Sequence, residues 1–274
     1  MATLRSFRNR PRGHLNMRKN LPLIIIPARM GSTRFPGKPL ARISGRSMLS
    51  RVIENSVSAF GKANTMVATC DDVISSEAEL LGVRAIMTAA THERATDRTA
   101  EAVRVLEGEG EQISTVIMLQ GDEPLIPPRA LKSLGDRLAS DPKVEIVNLG
   151  GPIRSVRELK DPNCIKVVTR LDGRALFFSR ANFGYDSPDA ITNISKQVCA
   201  IGFQRSALAE FASLQEGQLE KEESIDMLRW LENGREIYME HILTHTQPVD
   251  VPADIGEVEK LLQIAKQDQT GNVS

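Results

Sequence analysis

From residue 21 onward, short β-branched runs alternate with amphipathic helical patterns, and this alternation narrows the possible folds more than any other feature of the chain. Residues 23–26 read as a buried strand, and 47–60 as a helix with Met48, Val52, Ile53 and Val57 near one face. A second strand follows over 66–69, then a helix over 71–81 begun by capping acids and stopped by Gly82, then a third strand over 84–87. Thr96 caps a helix to about residue 106, residues 116–119 are a fourth strand, and Pro127 and Pro128 start a helix through 138. Strands and helices alternating at this interval predict a parallel sheet with helices on both faces.

The second half changes character. Residues 165–169, then Asp172-Gly173, then 175–178 give a hairpin signal, a turn dipeptide between two β runs. A strand near 198–203, a helix near 219–232, a strand near 237–243 and a helix near 254–265 complete the chain. No internal repeat and no Pro-, Gly- or Ser-rich linker divides it, so residues 21–274 are expected to form a single α/β domain with an inserted antiparallel portion.

The 274 residues carry 35 basic and 35 acidic side chains, and a net charge of zero disfavours a protein that coats nucleic acid or acidic membrane by bulk electrostatics. The balance is uneven, however. Residues 1–20 hold Arg5, Arg8, Arg10, Arg12, Arg18 and Lys19 and no acid, which leaves −6 on residues 21–274. That first segment has almost no apolar periodicity and reads as a flexible basic arm, an extension or a misplaced start with Met17 as the alternative, in preference to a targeting peptide. Cys70, Cys164 and Cys199 are far apart and odd in number, which fits neither a disulfide scaffold nor zinc spacing and points to a reducing, cytoplasmic setting. The apolar run around 21–27 is far short of the ~20 residues of a membrane-spanning helix. Eleven aromatic residues are too few for the stacking platforms of single-strand nucleic-acid binders. Neither nucleic acid nor membrane insertion is expected.

The strongest local signal follows the first strand: Pro27-Ala28-Arg29-Met30-Gly31-Ser32-Thr33-Arg34-Phe35-Pro36-Gly37-Lys38-Pro39. Loops at the carboxyl ends of parallel strands are where open α/β sheets bind ligands. This one offers glycines whose backbone N–H groups can approach phosphate, with Arg29, Arg34 and Lys38 to neutralise it. It is not a Walker loop, because five residues separate Gly31 from Gly37 and Pro39 stands where a hydroxyl would hold magnesium. Phosphate binding is preferred to the competing reading, a basic surface loop with turn glycines.

Leu119-Gln120-Gly121-Asp122-Glu123-Pro124 also follows an apolar run. A carboxylate at a strand end suits magnesium, which takes few protein carboxylates and completes its shell from phosphate and water. A lone Gly-Asp is equally an ordinary turn. Asp250, on a Pro-bounded segment before the last helix, gains meaning only by pairing with Asp122, since two carboxylates could hold a metal–triphosphate complex. Arg98 opens a helix as either an exposed charge or a ligand contact, and the residues alone leave that open. His14, His92, His241 and His245 form no metal-ligand pattern, and Cys164 and Cys199 read as packed small hydrophobes, not nucleophiles.

These pieces together resemble the 3-deoxy-manno-octulosonate (Kdo) cytidylyltransferases. The likeness runs from about residue 23 to 262 through the 27–40 loop, Thr96-Asp97-Arg98, Gln120-Gly121-Asp122-Glu123-Pro124, Asp161-Pro162-Asn163 with Ile165-Lys166-Val167-Val168, Ala175-Leu176-Phe177-Phe178-Ser179-Arg180, and Val249-Asp250. The resemblance implies a three-layer, Rossmann-like nucleotidyltransferase fold, usually dimeric, that couples CTP to a sugar acid and releases pyrophosphate with Mg²⁺. Carried over, it implies that Arg29 and Lys38 bind the triphosphate while Ser32 and Arg34 shape the loop, and that Arg98 and Gln120 lie in the nucleotide and substrate pocket. It further implies Asp122 and Asp250 as magnesium ligands, Arg29, Lys38 and Asp122 as the catalytic set, and Arg180 and Asp226 on the sugar.

The chain departs from the family pattern mainly in the half expected to read the sugar. Arg94-Ala95-Thr96 stands for Ser-Gly-Thr, Cys70 for Asp, Asn182-Phe183-Gly184 for Pro-Ile-Pro, Gln197-Val198 for an Arg-His pair, and Ile225-Asp226-Met227-Leu228-Arg229 for Leu-Glu-Gln-Leu-Arg. Losing a partner for a sugar hydroxyl costs specificity strongly. Alongside Kdo activation, two readings therefore stand: the same reaction on a related sugar acid, such as an amino-Kdo or a sialic-acid-like nonulosonate, and a nucleotide-binding regulatory protein without catalysis.

Overall fold

The computed structural model describes residues 21–186 and 194–271, so the basic arm expected at 1–20, with His14 and Met17, lies outside the described residues. Strand β1 (Leu23–Pro27) is apolar throughout and buried on both faces. Such a run suits a strand covered by helices on either side. Parallel strands β4 (Thr65–Thr69) and β6 (Thr115–Leu119) flank it, and β5 (Arg84–Met87) extends the sheet beyond β4 in parallel. Helix α1 (Met48–Phe60), α2 (Asp72–Leu80) and α3 (Ala95–Gly108) make the crossovers, and Ser47 caps α1 by accepting the Ser50 N–H. Between β1 and α1 a small hairpin, β2 (Arg42–Ile43) and β3 (Arg46–Ser47), carries the chain over the sheet end.

Beyond β6 the sheet continues with β10 (Ile194–Gln204), β7 (Ile146–Gly151) and β11 (Tyr238–His241), in the spatial order β11-β7-β10-β6-β1-β4-β5. β10 runs antiparallel to both β6 and β7, whereas β11 is parallel to β7. Strands β8 (Lys166–Thr169) and β9 (Ala175–Ser179) form the hairpin read from Asp172-Gly173, with β8 paired to the start of β10. The antiparallel portion is thus a hairpin together with one strand set inside the main sheet.

Alternation along the strands sends side chains to two cores. Ile24 and Ile26 join α1, α2 and α4 (Pro128–Ser140) on one face. Leu23 and Ile25 join α3, α6 (Arg205–Ser213) and α8 (Met227–Glu232) on the other. Phe211 there stacks on the fully buried Trp230, ring centroids 6.1 Å apart. A third, small cluster of Ile43, Met48, Val249 and Val258 seats the last helix, α9 (Asp254–Gly271), over the start of α1.

Two features differ from the sequence expectation. The helix read over 219–232 is two, α7 (Gln218–Glu223) and α8, broken at Ser224, whose φ of 55° is left-handed. The flanking acids are drawn off the helix path: Glu223 accepts from Ser179 Oγ and the Arg180 N–H, and Asp226 from Thr96 Oγ1. Strands β2, β3 and β7, the short helix α5 (Val156–Lys160) and α6 also have no counterpart in the reading. β7 (IVNLGG) is Asn- and Gly-rich, and α6 follows β10 without an N-terminal capping signal.

The close seating of α4 on the sheet depends on Gly202 of β10, where an added Cβ would lie 2.9 Å from Leu138 Cδ1 and 3.0 Å from Val147 Cγ1. Gly202→Val is expected to cost roughly 1–3 kcal/mol of overpacking, read as a lowered urea midpoint.

Candidate active site

Because β1 is parallel to its neighbours and the chain returns from β5 to β6 on its other side, the loops after β1 and β6 flank one crevice at the sheet's carboxyl edge. The β1 loop is pinned at its base. The Met30 carbonyl accepts from both Ser32 N and Gly37 N at 3.0 Å, and Met30 N donates to Asp71 Oδ2 at 2.8 Å. Ser32 Oγ accepts from Phe35 N at 3.3 Å, and Gly37 turns the chain at φ 74°, a left-handed conformation that favours glycine. Asp71, read from sequence as a helix cap, makes no side-chain cap. Its carboxylate instead reaches across from the end of β4 to the loop.

The loop's cations meet the two predicted carboxylates. Lys38 Nζ lies 2.7 Å from Asp122 Oδ2 and 3.7 Å from Asp250 Oδ1, and Arg34 Nη2 lies 2.8 Å from Asp250 Oδ1. Arg34 Nη1 also donates to Asn163 Oδ1 at 2.6 Å, and Arg29 Nη1 donates to the His92 carbonyl at 3.3 Å. Asp122 and Asp250, 128 residues apart in the chain, are joined through the backbone as well, Val249 N donating to the Asp122 carbonyl at 3.0 Å. Asp254 holds the next turn by accepting from Asp250 N and Val251 N. Burial, and then the charge of Asp122, push the Asp250 carboxyl above its ordinary value.

Asp122 Oδ1 is buried with no hydrogen-bond partner among the described residues. An orphaned carboxylate oxygen beside a second carboxylate is a donor set suited to a hard, oxygen-seeking divalent ion. No group of three or more metal-ligating side chains exists among the described residues, so the remaining ligands would come from phosphate and water.

Arg98, at the start of α3, is buried, with Nη1 on Thr88 Oγ1 at 2.5 Å and Nη2 lacking a partner among the described residues. The open alternative from sequence is therefore settled against an exposed helix charge. Gln120 is placed by its backbone, its N–H donating to the Cys199 carbonyl at 3.0 Å. Arg180, at the end of β9, spends its guanidinium on the carbonyls of Glu223, Pro162 and Ser224 at 2.7, 2.9 and 3.4 Å. It joins the 161–163 loop, and so Asn163 and Arg34, to the α7–α8 turn that carries Asp226. Lys166, fully buried, ties the same knot by donating to the carbonyls of Asp161, Cys164 and Arg180, and burial lowers its pKa. Burial raises the Cys164 thiol to about 11 and Cys199 well above its ordinary value, so neither is a thiolate nucleophile near neutrality.

Sequence reasoning missed Asp71, Glu123 and Arg94. Arg94 Nη1 donates to Ser224 Oγ at 2.8 Å and its Nε lies 3.3 Å from Glu216, which braces the same turn. Glu123 stood inside the 120–124 motif and Arg94 stood out as a departure from the family pattern, while the position of Asp71 just after a strand was explained equally well by capping.

A cationic loop and a carboxylate pair at the switch point of an α/β sheet fit a nucleotidyltransferase, and the cytidylyltransferase family profile matches residues 23–237. The 3-deoxy-manno-octulosonate cytidylyltransferase of Desulfatibacillum aliphaticivorans is 39% identical over 242 residues, covering 88% of this chain and 98% of that protein. That of Solibacter usitatus is 37% identical, covering 90% and 97%. The solved CMP:2-keto-3-deoxy-manno-octonic acid synthetase complexed with CTP superposes with a TM-score of 0.78 at 34% identity, over 89% of this chain and 99% of that one. The chain belongs to the 3-deoxy-manno-octulosonate cytidylyltransferase family.

Asp226, which accepts from Thr96 at the α7–α8 turn, offers a test of that turn. Burial raises its pKa, so the folded state holds this proton more tightly than the unfolded chain. The stability contributed by the neutral acid is complete below the unfolded value of ~3.9 and is lost as pH rises through the folded value. Asp226→Asn cannot ionise, so its melting temperature relative to the native protein is expected to climb between pH 4 and pH 7, as scanned by fluorimetry.

Proposed function

We propose that the protein transfers CMP from CTP to the anomeric hydroxyl of Kdo and releases pyrophosphate, activating the sugar for lipopolysaccharide or other surface polysaccharide synthesis. The observation that carries this reading is the Lys38 ammonium held between Asp122 and Asp250 beneath the β1 loop. Without ligand the cluster is internally neutralised. A triphosphate with its counter-ion would exchange those pairs, with Lys38, Arg34 and Arg29 turning to phosphate oxygens and the two carboxylates to Mg²⁺. That ion, once bound, would offset phosphate charge.

The anomeric oxygen attacks the α-phosphorus, the bond to pyrophosphate breaks, and the hydroxyl proton is released. Arg29 and Lys38 stabilise charge building on the leaving group, and Ser32 and Arg34 keep the loop closed. Arg98, with one free guanidinium nitrogen, and Gln120 serve the nucleotide and substrate pocket, while Arg180 and Asp226 serve the sugar end. Positioning and charge stabilisation supply most of the rate, so no protein nucleophile is needed. The reading also carries a homodimer and a cytoplasmic location. No helix among the described residues is long and apolar enough to cross a membrane.

Of the changes that favoured another sugar acid, Val198 and Met227 are buried in the two cores, where they alter packing and not an open sugar contact. Kdo is therefore the preferred acceptor. A pyrophosphate-release screen of four nucleotides against Kdo and related sugar acids is expected to select CTP with Kdo. CTP binding without turnover of any acid would replace this reading with the regulatory one. Asp122→Asn is expected to lower kcat by roughly a thousandfold, the several kcal/mol that metal-assisted charge stabilisation supplies.

A further inference from the structure

The two carboxylates are each tied to β10 by a buried charged side chain. At the middle of β10 the register against β7 shifts between Val198 and Ile201, leaving Cys199 in a bulge. Its backbone groups turn to the 120–123 loop: Cys199 N donates to Glu123 Oε1 at 2.9 Å and its carbonyl accepts from Gln120 N at 3.0 Å. Glu123, 1% exposed, has no role in the proposed chemistry, yet it grips the strand one residue away from Asp122. Three residues before the bulge, Lys196 reaches the other way. Its stem passes over Gly151, and Nζ donates to the Thr246 carbonyl at 2.8 Å while pairing with Glu158. From Thr246 the chain runs through Pro248 to Val249, whose N–H binds the Asp122 carbonyl, and then to Asp250.

We propose that β10 sets the spacing of the two metal carboxylates, with Glu123 and Lys196 as positioning residues: Glu123 fixes the Asp122 loop through the Cys199 bulge, and Lys196 fixes the Asp250 segment through the Thr246 carbonyl. This rests on the reading of Asp122 and Asp250 as ligands for a divalent ion. Each acts through backbone, Glu123 through the Cys199 N–H and Lys196 through the Thr246 carbonyl. Residues that orient ligands in this way typically account for ~10–100-fold in metal affinity when removed.

The test measures Mn²⁺ binding by electron paramagnetic resonance in the presence of CTP, and CTP binding without metal. Glu123→Leu removes the acceptor, and Glu123→Gln keeps it. Lys196→Met with Glu158→Leu removes the second tie without stranding a buried charge. Mn²⁺ affinity is expected to fall ~10–100-fold in Glu123→Leu and in the double variant, to stay near native in Glu123→Gln, and metal-free CTP affinity to hold throughout. Native Mn²⁺ affinity in the folded Leu and double variants overturns the proposal. Should either fail to fold by circular dichroism, Lys196→Arg, which keeps the charge but displaces the donor, decides on the same readout. If Asp122→Asn binds Mn²⁺ as the native protein does, the underlying metal reading falls with it. If Asp122→Asn loses the ion while the positioning variants keep it, only the inference falls.

Discussion

Everything in this molecule depends on β1 being sealed on all sides. Its five residues are hydrogen-bonded to β4 and β6, and its side chains feed both cores. A strand so constrained has one register, and the residue at which it ends is fixed. Arg29 and the loop beyond it therefore leave the sheet at one place and in one direction, opposite the loop that follows β6. The aliphatic pattern of five residues thus determines where a cluster of charges meets.

That cluster is organised by mutual neutralisation. Two cations and two carboxylates within hydrogen-bonding reach hold each other in place at the rim of the sheet. Burial, and then the charge of Asp122, raise the Asp250 carboxyl, so the pair left bare would be unfavourable here. Lys38 relieves it without occupying every oxygen, since Asp122 Oδ1 stays unpartnered. The arrangement resembles a small salt lattice in which each charge faces one of the opposite sign.

The parallel half of the fold was legible because short apolar runs alternate with helical patterns whose limits are marked, the end of α2 by Gly82 and the start of α4 by Pro128. The cationic loop after β1 and the Asp122–Asp250 pair were legible too, the first from three cations around two glycines, the second once the two acids were considered together. What escaped was set by distant contacts. β7 carries Asn148, Gly150 and Gly151, poor strand formers, and is a strand because β10 and β11 satisfy its backbone on both sides. The helical pattern of 219–232 yields to bonds from Glu223 to Ser179 and from Asp226 to Thr96, which no local propensity anticipates. Asp71 has a good capping position and a better partner in Met30, and local rules name only the first.

The order in which the chain is made adds a consequence to the placement of β10. The β1-α1-β4-α2-β5-α3-β6 half is a run of near-neighbour crossovers and can collapse as soon as it has been synthesised. β10 then has to slot between β6 and β7, with β7 already committed beside nothing else until β11 arrives. Asp250 arrives later still, over a span of 128 residues from Asp122 and just before α9. A nascent chain halted short of residue 250 would own a nearly complete sheet and a formed cationic loop, yet only one of its two carboxylates. In such a chain Lys38 would keep its pair with Asp122, while Arg34 would lose the carboxylate it meets at Asp250.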